Sequence, residues 1–192
     1  MKKINKLGIS LLMTLMLISC MDLDINTDPD SLSSSSGNLA TRLPGMQFWM
    51  GHTHQTTGFF TALLNQQITL SVRGGRYGSL AEWTAANNTA STYAYQAFFV
   101  GTASTFADVY AMAEKEGAYH YMGVVKLFRA MGFMVMCDVY GEMPYTSALG
   151  ANINPNYDDG KTIFYGALAE LDEAIELFKK TQEPGAKTLK EG

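Results

Sequence analysis

The chain has 192 residues, with 14 basic and 18 acidic side chains and a formal net charge of −4. An acidic balance leaves no electrostatic footprint for nucleic acid, whose recognition rests on clustered Lys and Arg. With only 2 cysteines, Cys20 and Cys137, a disulfide framework is not indicated, and Cys137 lies in the apolar run Phe133-Met134-Val135-Met136-Cys137, which suits a buried structural thiol.

The amino end reads as a secretory signal. Lys2, Lys3 and Lys6 form a positive start, and the apolar stretch Leu7 to Ile18 is interrupted only by Gly8, Ser10 and Thr14. At about 12 residues this stretch is too short to cross a hydrocarbon core of roughly 30 Å. It ends in Leu17-Ile18-Ser19-Cys20, which resembles a bacterial lipobox. Residues 1–19 are therefore expected to be removed and Cys20 to carry the lipid. Several acyl chains at about 0.8 kcal/mol per buried methylene anchor firmly. The competing readings are an uncleaved anchor and a plain secretory signal with a chance cysteine. Cleavage before Cys20 leaves 173 residues, enough for one modest domain. Loss of the three lysines leaves 11 basic against 18 acidic side chains, a net charge of −7. Charge alone will not hold such a chain to anionic lipid.

Residues 20–38 read as a lipidated tether. Asp22, Asp24, Asp28 and Asp30 surround Asn26 and Pro29, and Ser33 to Ser36 with Gly37 follow. Such residues pack no core. Residues 39–192 form the expected domain.

Within it the apolar periodicity predicts a first helix from about Pro44, which suits a first-turn position. Phe48, Phe59, Phe60, Leu63, Leu64 and Ile68 are its expected apolar residues. Arg73-Gly74-Gly75-Arg76-Tyr77-Gly78 is a loop. A second helix is expected over about 91–116, with Tyr95, Phe98, Phe99, Thr102, Phe106, Val109, Tyr110 and Ala113 on its apolar face. A third runs over about 118–139 and stops at Tyr140-Gly141-Glu142-Met143-Pro144-Tyr145, where Gly141 suits a C-cap and Pro144 blocks continuation. The aromatic residues of that exit are expected to pack between the third and fourth helices. After a loop from Pro144 to about Asp159, the fourth helix carries Ile163, Ala167, Leu168, Leu171, Ala174, Ile175 and Phe178. Glu170, Asp172, Glu173 and Glu176 are expected to face solvent, Lys179 and Lys180 favour the last turn, and Pro184-Gly185 is the expected stop. No alternating strand pattern competes, so the fold class is all-α. Starts about 44 residues apart suggest tetratricopeptide-like helix pairs with irregular loops.

Three stretches resemble the SusD/RagB family of outer-membrane nutrient-binding lipoproteins. They are Cys20-Met21-Asp22-Leu23-Asp24-Ile25-Asn26-Thr27-Asp28-Pro29; then Lys126-Leu127-Phe128-Arg129-Ala130 with Asp138-Val139-Tyr140-Gly141-Glu142-Met143-Pro144-Tyr145; then Pro155-Asn156-Tyr157-Asp158 with Ile163-Phe164-Tyr165 and Leu171-Asp172-Glu173-Ala174. The resemblance implies a cell-surface lipoprotein of the outer membrane that is not an enzyme and needs no cofactor. It implies an oligosaccharide or peptide ligand and a SusC-like TonB-dependent transporter as partner. Members are longer than this chain, so the chain is expected to be an amino-terminal part, incomplete in core and ligand site, and residues 181–192 are polar with no closing element.

Sugar recognition needs flat aromatic faces beside amides and charged groups that read hydroxyls. Trp83 with Asn87 and Asn88, preceded by Arg73, Arg76 and Tyr77, has that composition, and the resemblance places part of the ligand site in the comparable region. The competing reading is a core Trp at a helix start with surface amides. His52-Thr53-His54 does not put two imidazoles on one helix face, so packing or surface histidines are expected there rather than a metal site. No phosphate loop or nucleophile motif stands in the sequence. Two functional readings follow: a glycan-binding subunit of a transporter pair, and a tetratricopeptide-type scaffold lipoprotein that binds protein. An enzyme is a distant third.

Overall fold

The structure, a computed structural model, describes residues 37–71, 77–78, 82, 89–149 and 153–189. The signal segment, Cys20, most of the tether, and Arg73, Arg76, Trp83, Asn87 and Asn88 lie outside the described residues. The described part is helical, as expected for an all-α fold: α1 (Leu39–Leu64), α2 (Thr89–Gln96), α3 (Phe106–Glu116), α4 (Tyr119–Tyr140) and α5 (Gly160–Lys179).

Helix α1 starts five residues before Pro44. Asn38 accepts the Thr41 N–H through Oδ1 at 3.0 Å, and its own N–H donates to Thr41 Oγ1 at 3.1 Å. This reciprocal cap satisfies two orphan donors and fixes the start. Pro44 then sits inside the helix, in its second turn, where it withholds one N–H from the Ala40 carbonyl. The buried line is Leu39, Leu43, Met46, Met50, Thr53, Thr57, Phe60 and Leu63, at steps of three and four. The expected aromatic face is corrected: Phe48 is 66% exposed, Phe59 and Ile68 also face outward, and the helix ends before Ile68. Thr53 and Thr57 can take inner positions because each hydroxyl donates to a carbonyl four residues back, Trp49 at 2.9 Å and Thr53 at 2.8 Å, and so is not left unsatisfied.

The expected helix over 91–116 is broken. Between α2 and α3 the chain makes a π turn over Ala97–Thr102 and a 3-10 turn over Ala103–Thr105. The Ala103 N–H reaches back to the Phe98 carbonyl, one residue further than in an α-helix. Phe98 and Thr102, near its two ends, both point inward with no exposure. Helix α3 ends in a Schellman cap, with Gly117 left-handed at φ 65° and the Ala118 N–H on the Ala113 carbonyl at 2.8 Å.

Helices α4 and α5 pack side by side. Gly141, at φ 74°, terminates α4, as its sequence position suggests. Cys137 is half-buried rather than buried, with its Sγ 3.5 Å from the Gly141 carbonyl oxygen, and burial pushes its thiol above the ordinary range. Met143 and Asp158 form one antiparallel bridge that closes the connecting loop. Asp159 caps α5 by accepting the Thr162 N–H at 2.8 Å.

Two expectations about α5 fail. The helix stops at Lys179, well before Pro184-Gly185, and the chain beyond folds back: the Glu183 N–H reaches the Gly117 carbonyl at 3.3 Å, and Ala186 and Leu189 pack on the core. The buried line is Ile163, Ala167, Glu170, Ala174 and Leu177. Leu168, Ile175 and Phe178 sit on an adjacent, more exposed line. Glu170 faces inward because Arg129 and Tyr145 supply donors for it there.

Candidate functional site

The core meets at one aromatic junction. Phe133 of α4 packs edge-on against Phe98 of the π turn and Tyr145 of the exit loop, each at 4.9 Å between ring centres. The Arg129 guanidinium stands over both Phe133 (5.0 Å) and Tyr145 (5.4 Å). Its Nε donates to Glu170 Oε1 at 2.7 Å, and the Tyr145 hydroxyl donates to the same oxygen at 3.0 Å. Tyr145 fits flat against α5 because Gly166 has no side chain; a Cβ there would lie 2.4 Å from the ring. Burial, then the Glu170 carboxylate, drives the Tyr145 phenol far above its ordinary range. The exit aromatics divide: Tyr145 lies between α4 and α5 as expected, whereas Tyr140 packs toward Tyr95 of α2 at 6.0 Å, and burial pushes its phenol up to about 12.

Asp158 fixes the other end of the loop. Its carboxylate accepts the Thr146 N–H at 2.8 Å, the Tyr145 N–H at 3.0 Å and the Thr146 hydroxyl at 3.0 Å. The Thr146 backbone N–H is the largest cause of a carboxyl held below its ordinary range. A hollow of ≈ 540 Å³ adjoins this junction and is lined in part by Tyr110, Lys126, Arg129, Leu149 and Glu170. Its cations are already engaged, Arg129 with Glu170 and Lys126 with Glu173 at 2.6 Å, so it presents no unpaired positive charge to an anion. These groups are structural.

The surface beside α1 has a different character. Of the six residues expected to bind ligand, only Tyr77 is described. It packs edge-on against Phe59 at 4.8 Å, near the carboxyl end of α1. Further back on the same helix, Phe48, Trp49 and His52 form an exposed ring cluster. Phe48 stacks on His52 with planes 5° apart, and Trp49 meets His52 at 5.5 Å. Trp49, His52, Tyr93, Gln96, Ala97, Val100 and Gly101 line a cleft of ≈ 480 Å³. Trp49 packs so closely on the π turn that a Cβ on Gly101 would lie 2.6 Å from its indole.

The sequence reading passed over Trp49, Gln96 and Tyr93. The available signal was Phe48-Trp49 followed by His52 at one-turn spacing. His52 and His54 do diverge, as expected, the first half-buried among rings and the second exposed. Among the described residues no group of three His, Cys, Asp or Glu could hold a metal ion. No helix among them is long and apolar enough to cross a membrane.

The described residues build a helical body that displays rings on one helix and ties Arg129 to Glu170 and Lys126 to Glu173 within it. Residues 40–189 match the model of a SusD-like family described as starch-binding and associating with the outer membrane, and the chain belongs to that family. Its members are binding proteins. No curated protein matches the chain.

Proposed function

We propose that this chain is a cell-surface, lipid-anchored glycan-binding protein that delivers oligosaccharide to a SusC-like TonB-dependent transporter in the outer membrane. The observation that carries this reading is membership of a starch-binding, outer-membrane-associated family over residues 40–189. Sugar contacts are assigned to Trp83, Asn87, Asn88, Arg73, Arg76 and Tyr77, of which Tyr77 lies against Phe59 on α1. Rings supply the stacking faces and amides and guanidinium groups read hydroxyls.

Calorimetry with maltoheptaose tests the assignment. Trp83→Ala is expected to weaken binding about tenfold, which corresponds to about 1.4 kcal/mol, with the helical spectrum unchanged. Unchanged affinity would remove this site.

The anchor is assigned to Cys20. Cys20→Ala is expected to move the protein from the membrane to the soluble fraction, because the acyl chains supply the membrane affinity. A mutant that still sediments with membranes, beside a wild type that takes up no labelled fatty acid, refutes the anchor.

The second reading, a protein-binding scaffold, draws on the exposed apolar residues Phe164, Leu168, Ile175 and Phe178 of α5. A glycan array without hits, together with retained capture of the transporter, would favour it.

A further inference from the structure

We propose that the cleft at Trp49 is a second saccharide subsite, so that a neutral oligosaccharide lies along α1 from the π turn toward Tyr77. The inference rests on the glycan-binding reading and adds a site to it.

Four observations converge. First, the cleft has its rings on display. Trp49, in its wall, is 40% exposed, and Phe48, outside the cleft on the same helix, is 66% exposed, although a large ring gains most by burial. At ≈ 480 Å³ the cleft falls within the size of small-ligand sites, roughly 300–1,000 Å³. Second, its lining mixes one indole wall with an imidazole, an amide and a phenol, from His52, Gln96 and Tyr93. That pairing suits the C–H face and the hydroxyls of a sugar ring. Among the described residues no Lys, Arg, Asp or Glu lines it, a lining that suits a neutral ring better than a phosphorylated or acidic one.

Third, the cleft is built by an irregularity. The π turn over Ala97–Thr102 brings Gly101 against Trp49, where any side chain would displace the indole. Single π turns inside helices are rare and recur at functional sites. Fourth, the surface continues. Phe48, His52, Gln55 and Phe59 follow at steps of four, three and four, which puts them on one face of α1. Phe48 and His52 are stacked, and Phe59 carries Tyr77. From Phe48 to Phe59 the helix rises about 16 Å, room for several linked rings. A flat protein contact would use the rings alone; a concave wall with Gln96 at its rim fits a hydroxylated chain better.

The sequence contains 2 tryptophans, Trp49 and Trp83, so each can be read alone by fluorescence. In the Trp83→Phe chain, titration with maltoheptaose is expected to change the emission of Trp49. In the Trp49→Phe chain the same titration reports Trp83. A Trp83 response with no Trp49 response overturns the subsite and leaves the glycan-binding reading standing. No response in either chain and no heat from the wild type overturn both for starch glucans. Gln96→Ala touches an exposed side chain and spares the core. It is expected to weaken maltoheptaose about fivefold and to leave maltotriose unchanged. Wild-type affinity for maltoheptaose in that chain also overturns the subsite.

Discussion

Phe133→Ala is expected to lower the unfolding free energy by about 3–5 kcal/mol. The ring has no exposure and stands where three elements meet. It touches Phe98 of the π turn and Tyr145 of the exit loop at 4.9 Å, and Phe99 at 6.0 Å. Truncation removes the transfer energy of the ring and leaves a cavity. The neighbours are poorly placed to fill it: Phe98 packs against Gly132 on α4, and Tyr145 is held by Glu170. The Arg129 guanidinium also loses one of its two ring faces. For a chain of this length the melting temperature should fall by about 6–20 °C, at 2–4 °C per kcal/mol. Urea unfolding checks it, with a lower midpoint at unchanged slope. Met131→Ala, on the exposed side of α4, is the matched control and should stay within about 0.5 kcal/mol. If the two variants unfold together, the junction does not hold the helices.

Apolar periodicity made most of the helices legible, and the stop of α4 was readable because Gly141 and Pro144 are local signals, although the turn of Tyr140 toward Tyr95 was not. Three further features were not. Asn38 and Thr41 hold the start of α1, but Asn38 follows a Ser/Gly run and looks like its last residue. Thr53 and Thr57 read as polar by residue type, yet each hydroxyl is satisfied by a carbonyl of its own helix, so both can take inner positions and the inner face of α1 lies away from Phe48 and Phe59. The π turn is one residue long in its effect, so the 3.6 period survives on both sides and hides it. At the candidate site, Tyr77 was named by its loop composition, and the structure adds only that it meets Phe59. Trp49 was missed for a different reason. It directly precedes the buried Met50, and a Trp amid a helical apolar pattern reads as core unless its facing residue is known to be glycine.

Glu170 shows the same limit in charge, and its removal is the second large expected effect. Its neighbours Asp172, Glu173 and Glu176 are exposed, so spacing alone assigns it to a solvated face; its partners come from 41 and 25 residues away in sequence. Glu170→Ala is expected to cost about 2–3 kcal/mol, because it strands the Arg129 guanidinium and the Tyr145 hydroxyl. The value sits below that of a fully buried pair for two reasons. The Arg129 side chain keeps 22% exposure, and Glu170 Oε2 is buried without a partner already. Tyr145→Phe removes one hydrogen bond and should cost about 1 kcal/mol. The double variant should lose less than the sum, because both act on one oxygen. Alkaline pH gives an independent check. The phenols of Tyr145 and Tyr140 are raised in the folded state above the ordinary value of 10.0, Tyr140 to about 12. Folding therefore favours their neutral forms. That stabilisation is complete below pH 10, where the unfolded phenols are neutral too, and is lost as pH rises through 10 toward 12. Glu170 contributes to the rise at Tyr145 after burial does. Its removal should make the loss of stability above pH 10 shallower. Urea midpoints at pH 7 and pH 11 for the wild type and Glu170→Ala measure both effects. A variant as stable as the wild type at pH 7, with the same alkaline slope, would show that the carboxylate does not tie α5 to the exit loop.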